Sequence, residues 1–277
     1  MYNSYNLQNI LITGGSGYLG SKTIDYFKDF TFYGLENKTK LSERNNLLTF
    51  QDTDFKKVVS KYNINIIIHL ATNSDRTNKQ NKEDIHETNI LLGEKLLNAC
   101  IGSQVELFIS SGSYSQDIFD RPPNFYLETK NIFEDSLILH NKEHELRIRN
   151  YLLGDVYGKD DFRSNKLINF LVENENKEQI IFNSNGLGAF SPIYIDDILS
   201  IMKKDLNSKS DDKSYSRKII ASDVITVKEF VNIYKLIRGK NFKEIYTNDE
   251  NPYSNFKKIN ISDLEFKTSL EEGLKNL

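Results

Sequence analysis

The segment Tyr126-Leu127-Glu128-Thr129-Lys130 places a phenol and an ammonium one helical turn apart, on one face of a helix. A positive charge beside a phenol stabilises the phenolate, so such a pair can exchange a proton near neutral pH. Upstream, Ser111 ends a short apolar run, Val105 to Ser110, that reads as a strand. Open α/β sheets hold their ligands at the carboxyl ends of such strands. A hydroxyl there can hydrogen-bond the oxygen of a reacting carbonyl. Tyrosine and lysine at this spacing are common on helix surfaces, so the trio is read as catalytic only with a second motif beside it.

That motif is Thr13-Gly14-Gly15-Ser16-Gly17-Tyr18-Leu19-Gly20. It follows an apolar strand, Asn9 to Thr13, and opens a helix. One glycine permits a turn with positive φ, another lets backbone approach a pyrophosphate, and the last lets helix and strand pack closely. The N–H groups of the helix start, with Tyr18 and Leu19, then face the phosphates. No Gly-Lys-Ser/Thr follows, so this is not a nucleoside-triphosphate loop of the Walker type. Glu36, with Asn37 beside it, closes the second strand and can accept from ribose hydroxyls. A carboxylate repels a 2′-phosphate, so Glu36 favours NAD over NADP, although Lys38 and Lys40 stand close by. Asp52 after the third strand is placed to meet an adenine amino group. Leu70, Ala71 and Thr72 at the end of the fourth strand leave room for a ribose.

These groups need a sheet to hold them, and the apolar pattern supplies one. Strands are expected at Asn9–Thr13, Thr31–Leu35, Leu47–Phe50, Asn65–Leu70, Val105–Ser110 and Leu146–Leu152. Helices are expected at Tyr18–Asp29, Asp54–Tyr62 and Lys82–Ile101. A further helix is opened by Pro122 and Pro123 and runs to about His140. The alternation predicts an α/β fold with a doubly wound parallel sheet. Residues 1–158 form the nucleotide-binding domain and 159–277 a smaller C-terminal lobe for substrate, with an approximate boundary across which elements can interleave. In that lobe Ile180–Phe182 and Pro192–Ile195 read as strands, Asp196–Lys203 and Thr226–Ile237 as helices, and Asn207–Ser216 as a polar loop.

With these motifs in view, the chain resembles the extended short-chain dehydrogenases/reductases of the NAD-dependent epimerase/dehydratase group. TGGSGYLG at 13–20, HLA at 69–71, ISS at 109–111 and YLETK at 126–130 carry the resemblance. Asn89 resembles the family's asparagine in the fourth helix. DVYG at 155–158 resembles its NVYG, with Asp155 in place of Asn, and IYIDD at 193–197 its yVDD segment. The resemblance implies a Rossmann fold, NAD or NADP as cofactor and a nucleotide-linked sugar as substrate. It adds Asn89, Tyr126 and Lys130 to the residues that hold the cofactor, and Ser111 and Ser113 to those that meet the substrate.

The family contains 4,6-dehydratases, epimerases and 4-keto reductases. Its dehydratases carry an Asp-Glu pair after the strand-end Ser/Thr, and here those positions are Gly112 and Ser113, neither a carboxylic acid. The compact length favours a reductase of 4-keto-6-deoxy sugar nucleotides, similar to abequose and paratose synthases of surface-polysaccharide synthesis. An epimerase is the alternative, and a non-catalytic NAD(P)-binding protein the third reading. Many relatives carry an arginine before yVDD that grips the diphosphate. Here the stretch is Ala189-Phe190-Ser191-Pro192, which leaves Arg163 and Lys166 as the candidate diphosphate ligands. The long helices 82–101 and 123–140 resemble those that pair in the family's dimers, which implies a homodimer.

The bulk of the sequence is consistent with this. The 277 residues carry a net charge of −3 with 27% charged residues and no basic run, which argues against a nucleic-acid binder. One cysteine, Cys100, in an apolar helical stretch, reads as core and implies a reducing, cytoplasmic setting. The apolar run Ile64–Leu70 is too short to span a bilayer, and no membrane association is expected. His140 and His144 have helical metal-ligand spacing, but no third ligand accompanies them. They read as a solvated helix end, and no metal is expected.

Overall fold

The computed structural model describes residues 8–36, 40–74, 81–208, 212–247, 253–257 and 266–277. Asn37 and Lys38 lie outside them. In chain order the first elements are β1 (Asn9–Thr13), α1 (Tyr18–Tyr26), β2 (Thr31–Leu35), β3 (Leu47–Phe50), α2 (Phe55–Lys61) and β4 (Ile64–His69). Next, α3 (Lys82–His86) passes through a π-helical segment, Glu87–Leu91, into α4 (Leu92–Cys100). Then come β5 (Leu107–Ser113), the single turn α5 (Ser115–Ile118), α6 (Phe125–His144) and β6 (Arg147–Leu153). The remainder is β7 (Asp155–Tyr157), α7 (Leu167–Asn174), β8 (Gln179–Phe182), β9 (Ala189–Phe190), β10 (Pro192–Tyr194), α8 (Ile195–Asn207), β11 (Tyr215–Ile220), β12 (Ile225–Thr226), α9 (Val227–Arg238), β13 (Lys243–Tyr246) and α10 (Leu270–Lys275).

Seven strands form one sheet in the order β11-β6-β5-β4-β1-β2-β3. The pairs β2–β3, β1–β2, β1–β4 and β4–β5 are parallel. This is the doubly wound α/β arrangement expected from the alternation. The strand order reverses beside β1, between β1 and β4, and the carboxyl ends of strands at such a reversal are where open α/β sheets hold their ligands. Side chains of β1 alternate between faces. Leu11 joins a core with Val58 and Val59 of α2, Leu96 and Leu97 of α4, and Phe133 and Leu137 of α6. Ile10, Leu11 and Ile12 are all fully buried. A strand buried on both faces is an unbroken apolar run, which is why Asn9–Thr13 was legible as parallel.

The described residues divide into two compact units. One holds the residues up to Ser113, Asn124–Tyr151 and Ser208–Lys218; the other holds Tyr114–Pro123, Leu152–Asn207 and those from Ile219 onward. The second unit has its own core, with Tyr157, Ile168, Leu171, Phe182, Phe190, Phe230 and Tyr234. There α9 opens with a capping box in which Thr226 and Glu229 each bond the other's backbone N–H.

Several local expectations change. Helix α1 stops at Tyr26, with the Phe27 N–H closing on the Thr23 carbonyl. Pro122 and Pro123 precede α6 rather than open it. The cap is Asn124, whose Oδ1 accepts from the Leu127 N–H at 2.9 Å and so satisfies one of the first-turn donors that have no acceptor within the helix. The same helix continues beyond His140 to His144 and ends at Glu145 in a left-handed conformation, φ 53°. Tyr215 and Ser216 belong not to a loop but to β11, which the edge of β6 recruits into the sheet.

Candidate active site

The glycine loop is built as its sequence requires. Gly14 has φ +75°, and a Cβ there would lie 2.6 Å from the Ala71 nitrogen and 2.7 Å from the Leu70 carbonyl carbon. The loop after β1 is thus pressed against the loop after β4, where Leu70 donates its N–H to the Thr13 carbonyl at 3.1 Å. Gly17 is the N-cap of α1, has no side chain to cap the helix, and closes the turn by donating to the Gly14 carbonyl at 3.0 Å. Gly20 faces the same carbonyl so closely that a methyl group would overlap it. Tyr18 is buried and Leu19 half-buried in the first turn. The cradle therefore fits a dinucleotide pyrophosphate: bare backbone, a helix start without a side-chain cap, and no Cβ in the way.

Gly20→Ala tests the cradle directly. The added methyl meets backbone, which cannot rotate away, so strain of about 1–3 kcal/mol is expected. Reduced-cofactor affinity, followed by fluorescence titration, should fall at least about tenfold. Unchanged affinity would place the pyrophosphate elsewhere.

The other proposed cofactor contacts fall into two groups. Glu36 follows β2, where its Oε1 accepts from the Leu41 N–H at 3.2 Å. Asp52 is exposed after β3, and its carboxylate accepts from the Asp54 N–H at 2.9 Å. Leu70, Ala71 and Thr72 form the loop beyond β4, against the glycine loop. Asn89 is deeply buried at 1% exposure and is committed within the protein. It donates to the Asn73 carbonyl and the Thr129 hydroxyl, and accepts from the Thr72 hydroxyl and the Asn73 N–H.

Ser111, Tyr126 and Lys130 lie on two elements, β5 and α6. Ser111 lies in β5, and Tyr126 and Lys130 on the inner face of α6; all three are buried. Lys130 reaches back to β5, its Nζ donating to the Ser111 carbonyl at 2.8 Å while sitting 5.9 Å from the centre of the Tyr126 ring. Burial brings the Lys130 ammonium down to about 8. The two other serines of this strand end, Ser110 and Ser113, are also buried.

His69, at the end of β4, packs between Phe108 and Phe133, with Nδ1 2.7 Å from the Thr13 hydroxyl. Burial first, then the nearby charge of Lys130, hold it neutral down to a pKa of about 3. It is a fixed polar wedge under the site, at a position that reads as packing in the sequence. Cys100 is core, donating to the Leu96 carbonyl at 3.3 Å, with burial pushing its thiol up. His140 departs from the solvated helix end expected for it. It is 7% exposed, its ring lies 4.6 Å from that of His144, and burial holds it down at about 4. The extension of α6 by one turn carries His140 inside.

Arg163 and Lys166 belong to the second unit. The Arg163 guanidinium bonds both oxygens of Asp161 at 2.7 Å, and the Val156 carbonyl at 2.7 Å. That carboxylate is only 1% exposed. A phosphate approaching Arg163 would compete with a buried anion already in place. Lys166 is the N-cap residue of α7. Asp155, where the family pattern has asparagine, accepts from the Tyr114 hydroxyl at 2.9 Å and the Ser191 N–H at 3.0 Å.

Sequence reasoning missed Thr13, Asn73 and Thr129, which hold the site without displaying a reactive group. The signal for Thr129 was its position, three residues after Tyr126 on the buried face of the helix.

A model of the NAD dependent epimerase/dehydratase family matches residues 10–219. The CDP-abequose synthase of Salmonella muenchen is 24% identical over 237 residues, 82% of this chain and 80% of the synthase. The dTDP-D-glucose 4,6-dehydratase of Dictyostelium discoideum is 26% identical over 70% of this chain, which spans 54% of that enzyme. In fold, the UDP-glucuronic acid 4-epimerase from Bacillus cereus, solved with UDP-glucuronic acid and NAD, superposes over 97% of both chains with a TM-score of 0.81 at 17% identity.

Proposed function

Since the chain belongs to the NAD dependent epimerase/dehydratase family, we propose that it reduces a nucleotide-linked 4-keto-6-deoxy sugar. The observation that carries this is the end of β5, Ser111-Gly112-Ser113, beside the Tyr126–Lys130 pair. It offers hydroxyls for a carbonyl oxygen and no carboxylate to remove water from a sugar. The likeness to a CDP-abequose synthase over four-fifths of its length supports the same reading.

The nicotinamide dinucleotide supplies the hydride when bound. Gly14, Gly17 and Gly20 would hold its pyrophosphate, and Glu36 would accept from an adenosine ribose, which favours NAD. Ser111 Oγ donates to the sugar's carbonyl oxygen and orients it. Tyr126 Oη gives that oxygen its proton. Lys130, fixed on the Ser111 carbonyl, holds a positive charge beside the phenol and eases its ionisation. A homodimer is part of the proposal, supported by the exposed Leu91, Ile132 and Leu139 on the long helices. So is a reducing, cytoplasmic setting, supported by the lone buried thiol.

The decisive assay mixes the protein with NADH or NADPH and a panel of nucleotide-linked 4-keto-6-deoxy sugars. Steady loss of reduced-cofactor absorbance, matched mole for mole by reduced sugar, is expected. If the sugar inverts at one carbon while absorbance holds, the enzyme is an epimerase. If no sugar changes, the catalytic reading fails and a cofactor-binding role replaces it.

A further inference from the structure

Between Tyr126 and Lys130 lies a hydroxyl that the proposed chemistry does not use. Thr129 is fully buried. Its Oγ1 donates to the Tyr126 carbonyl at 2.7 Å and accepts from Asn89 Nδ2 at 3.0 Å. The second Asn89 N–H goes to the Asn73 carbonyl at 3.0 Å. Its Oδ1 accepts from the Asn73 N–H at 2.7 Å and from the Thr72 hydroxyl at 3.2 Å. An amide has two donor hydrogens and two acceptor lone pairs, and all four are engaged. The residue sits in the π-helical segment Glu87–Leu91, a local irregularity of the kind that recurs at functional sites.

These bonds form one continuous path. The backbone of Asn73, in the loop that follows Ala71 and Thr72, is held on both its N–H and its carbonyl by one side chain. That side chain is tied through one hydroxyl to the carbonyl of Tyr126. The loop proposed to lie against the cofactor and the helical turn that bears the acid are therefore locked in register, across a sequence separation of 40 and more.

We infer that Thr129 is a positioning residue: its hydroxyl, through Asn89, sets the Tyr126 turn of α6 against the loop Ala71–Asn73. The inference rests on the proposed role of Tyr126. Valine at position 129 fills the same volume but cannot accept a hydrogen bond. Asn89 would then carry a buried N–H with no partner and would reorient, releasing Asn73.

Thr129→Val should lower kcat about tenfold, with KM within about twofold of wild type. Thr129→Ser, which keeps the hydroxyl, should restore kcat. Asn89→Ala should cost about as much as Thr129→Val, and the double variant no more than the worse single one, because both cut the same path. Hydrogen exchange supplies a readout that needs no substrate. The Asn73 amide should exchange at least about tenfold faster in Thr129→Val and return to the wild-type rate in Thr129→Ser, while β1 amides stay protected in both. Wild-type turnover in Thr129→Val, no rescue by serine, or losses that multiply in the double variant would overturn the inference. If the wild type turns over no sugar nucleotide, the exchange arm decides alone. Selective loosening of Asn73 then upholds the path without the catalytic reading, and unchanged exchange removes it.

Discussion

Tyr126→Phe should abolish turnover while leaving a folded protein that binds reduced cofactor. The ring stays in its buried place, so neither a cavity nor a new polar group is created. What is lost is the hydroxyl proposed to deliver the proton, and a loss of about 10³-fold in kcat is expected for removing a general acid. Reduced-cofactor affinity, measured by fluorescence titration, should stay within about twofold, because the pyrophosphate cradle lies on a different loop. Turnover close to that of wild type would remove Tyr126 from the chemistry and leave the Ser111 side as the only source of the proton. A parallel loss of affinity would instead make Tyr126 a binding residue.

Lys130→Met has the second large effect, and it separates stability from activity. Burial depresses the Lys130 ammonium from 10.5 to about 8. In the unfolded chain lysine keeps its proton until the higher value, so between pH 8 and 10.5 the unfolded state binds more protons than the folded one. Stability contributed through this group therefore rises with pH across that window. Below pH 8 the buried charge costs about 3 kcal/mol. Methionine keeps the apolar stem and removes the charge. It also strips the Ser111 carbonyl of its donor, at a cost of about 1 kcal/mol. In the absence of cofactor the variant should melt a few degrees above wild type at pH 7, roughly 2–4 °C per kcal/mol gained. The gap should close as pH rises from 8 to 10.5. Turnover should fall by about 10²- to 10⁴-fold at every pH. A gap that stays constant with pH would mean that Lys130 titrates in the folded protein as it does in the unfolded one.

Both predictions concern a pair that the sequence itself singles out, and the reason lies in local geometry. A pair four residues apart shares a helix face wherever the helix sits, so Tyr126 and Lys130 could be matched by spacing alone. The glycines at 14, 17 and 20 answer demands of the backbone itself: a positive φ, a bare cap and a close crossing of strand and helix. The runs Asn9–Thr13 and Ile64–Leu70 are apolar without alternation because both faces of a central parallel strand are covered, and that pattern needs no partner to be read.

Where the sequence was silent or misleading, distant contacts decided. The stretch Tyr-Ser-Arg-Lys-Ile-Ile at 215–220 shows no clean period, and it is a strand because β6 offers it an edge. His140 looks like one more polar residue at a helix end, yet the longer α6 takes it into the interior. Asn89 matched a family position without showing what it holds. Only the folded chain brings Asn73, Asn89 and Thr129 into one path, from segments that no local rule connects. The sequence by itself determined which backbone could cradle a phosphate and which side chains could share a proton. The tertiary structure decided which polar groups are buried, and so which must spend their hydrogen bonds inside the protein, because burial is set by every element at once.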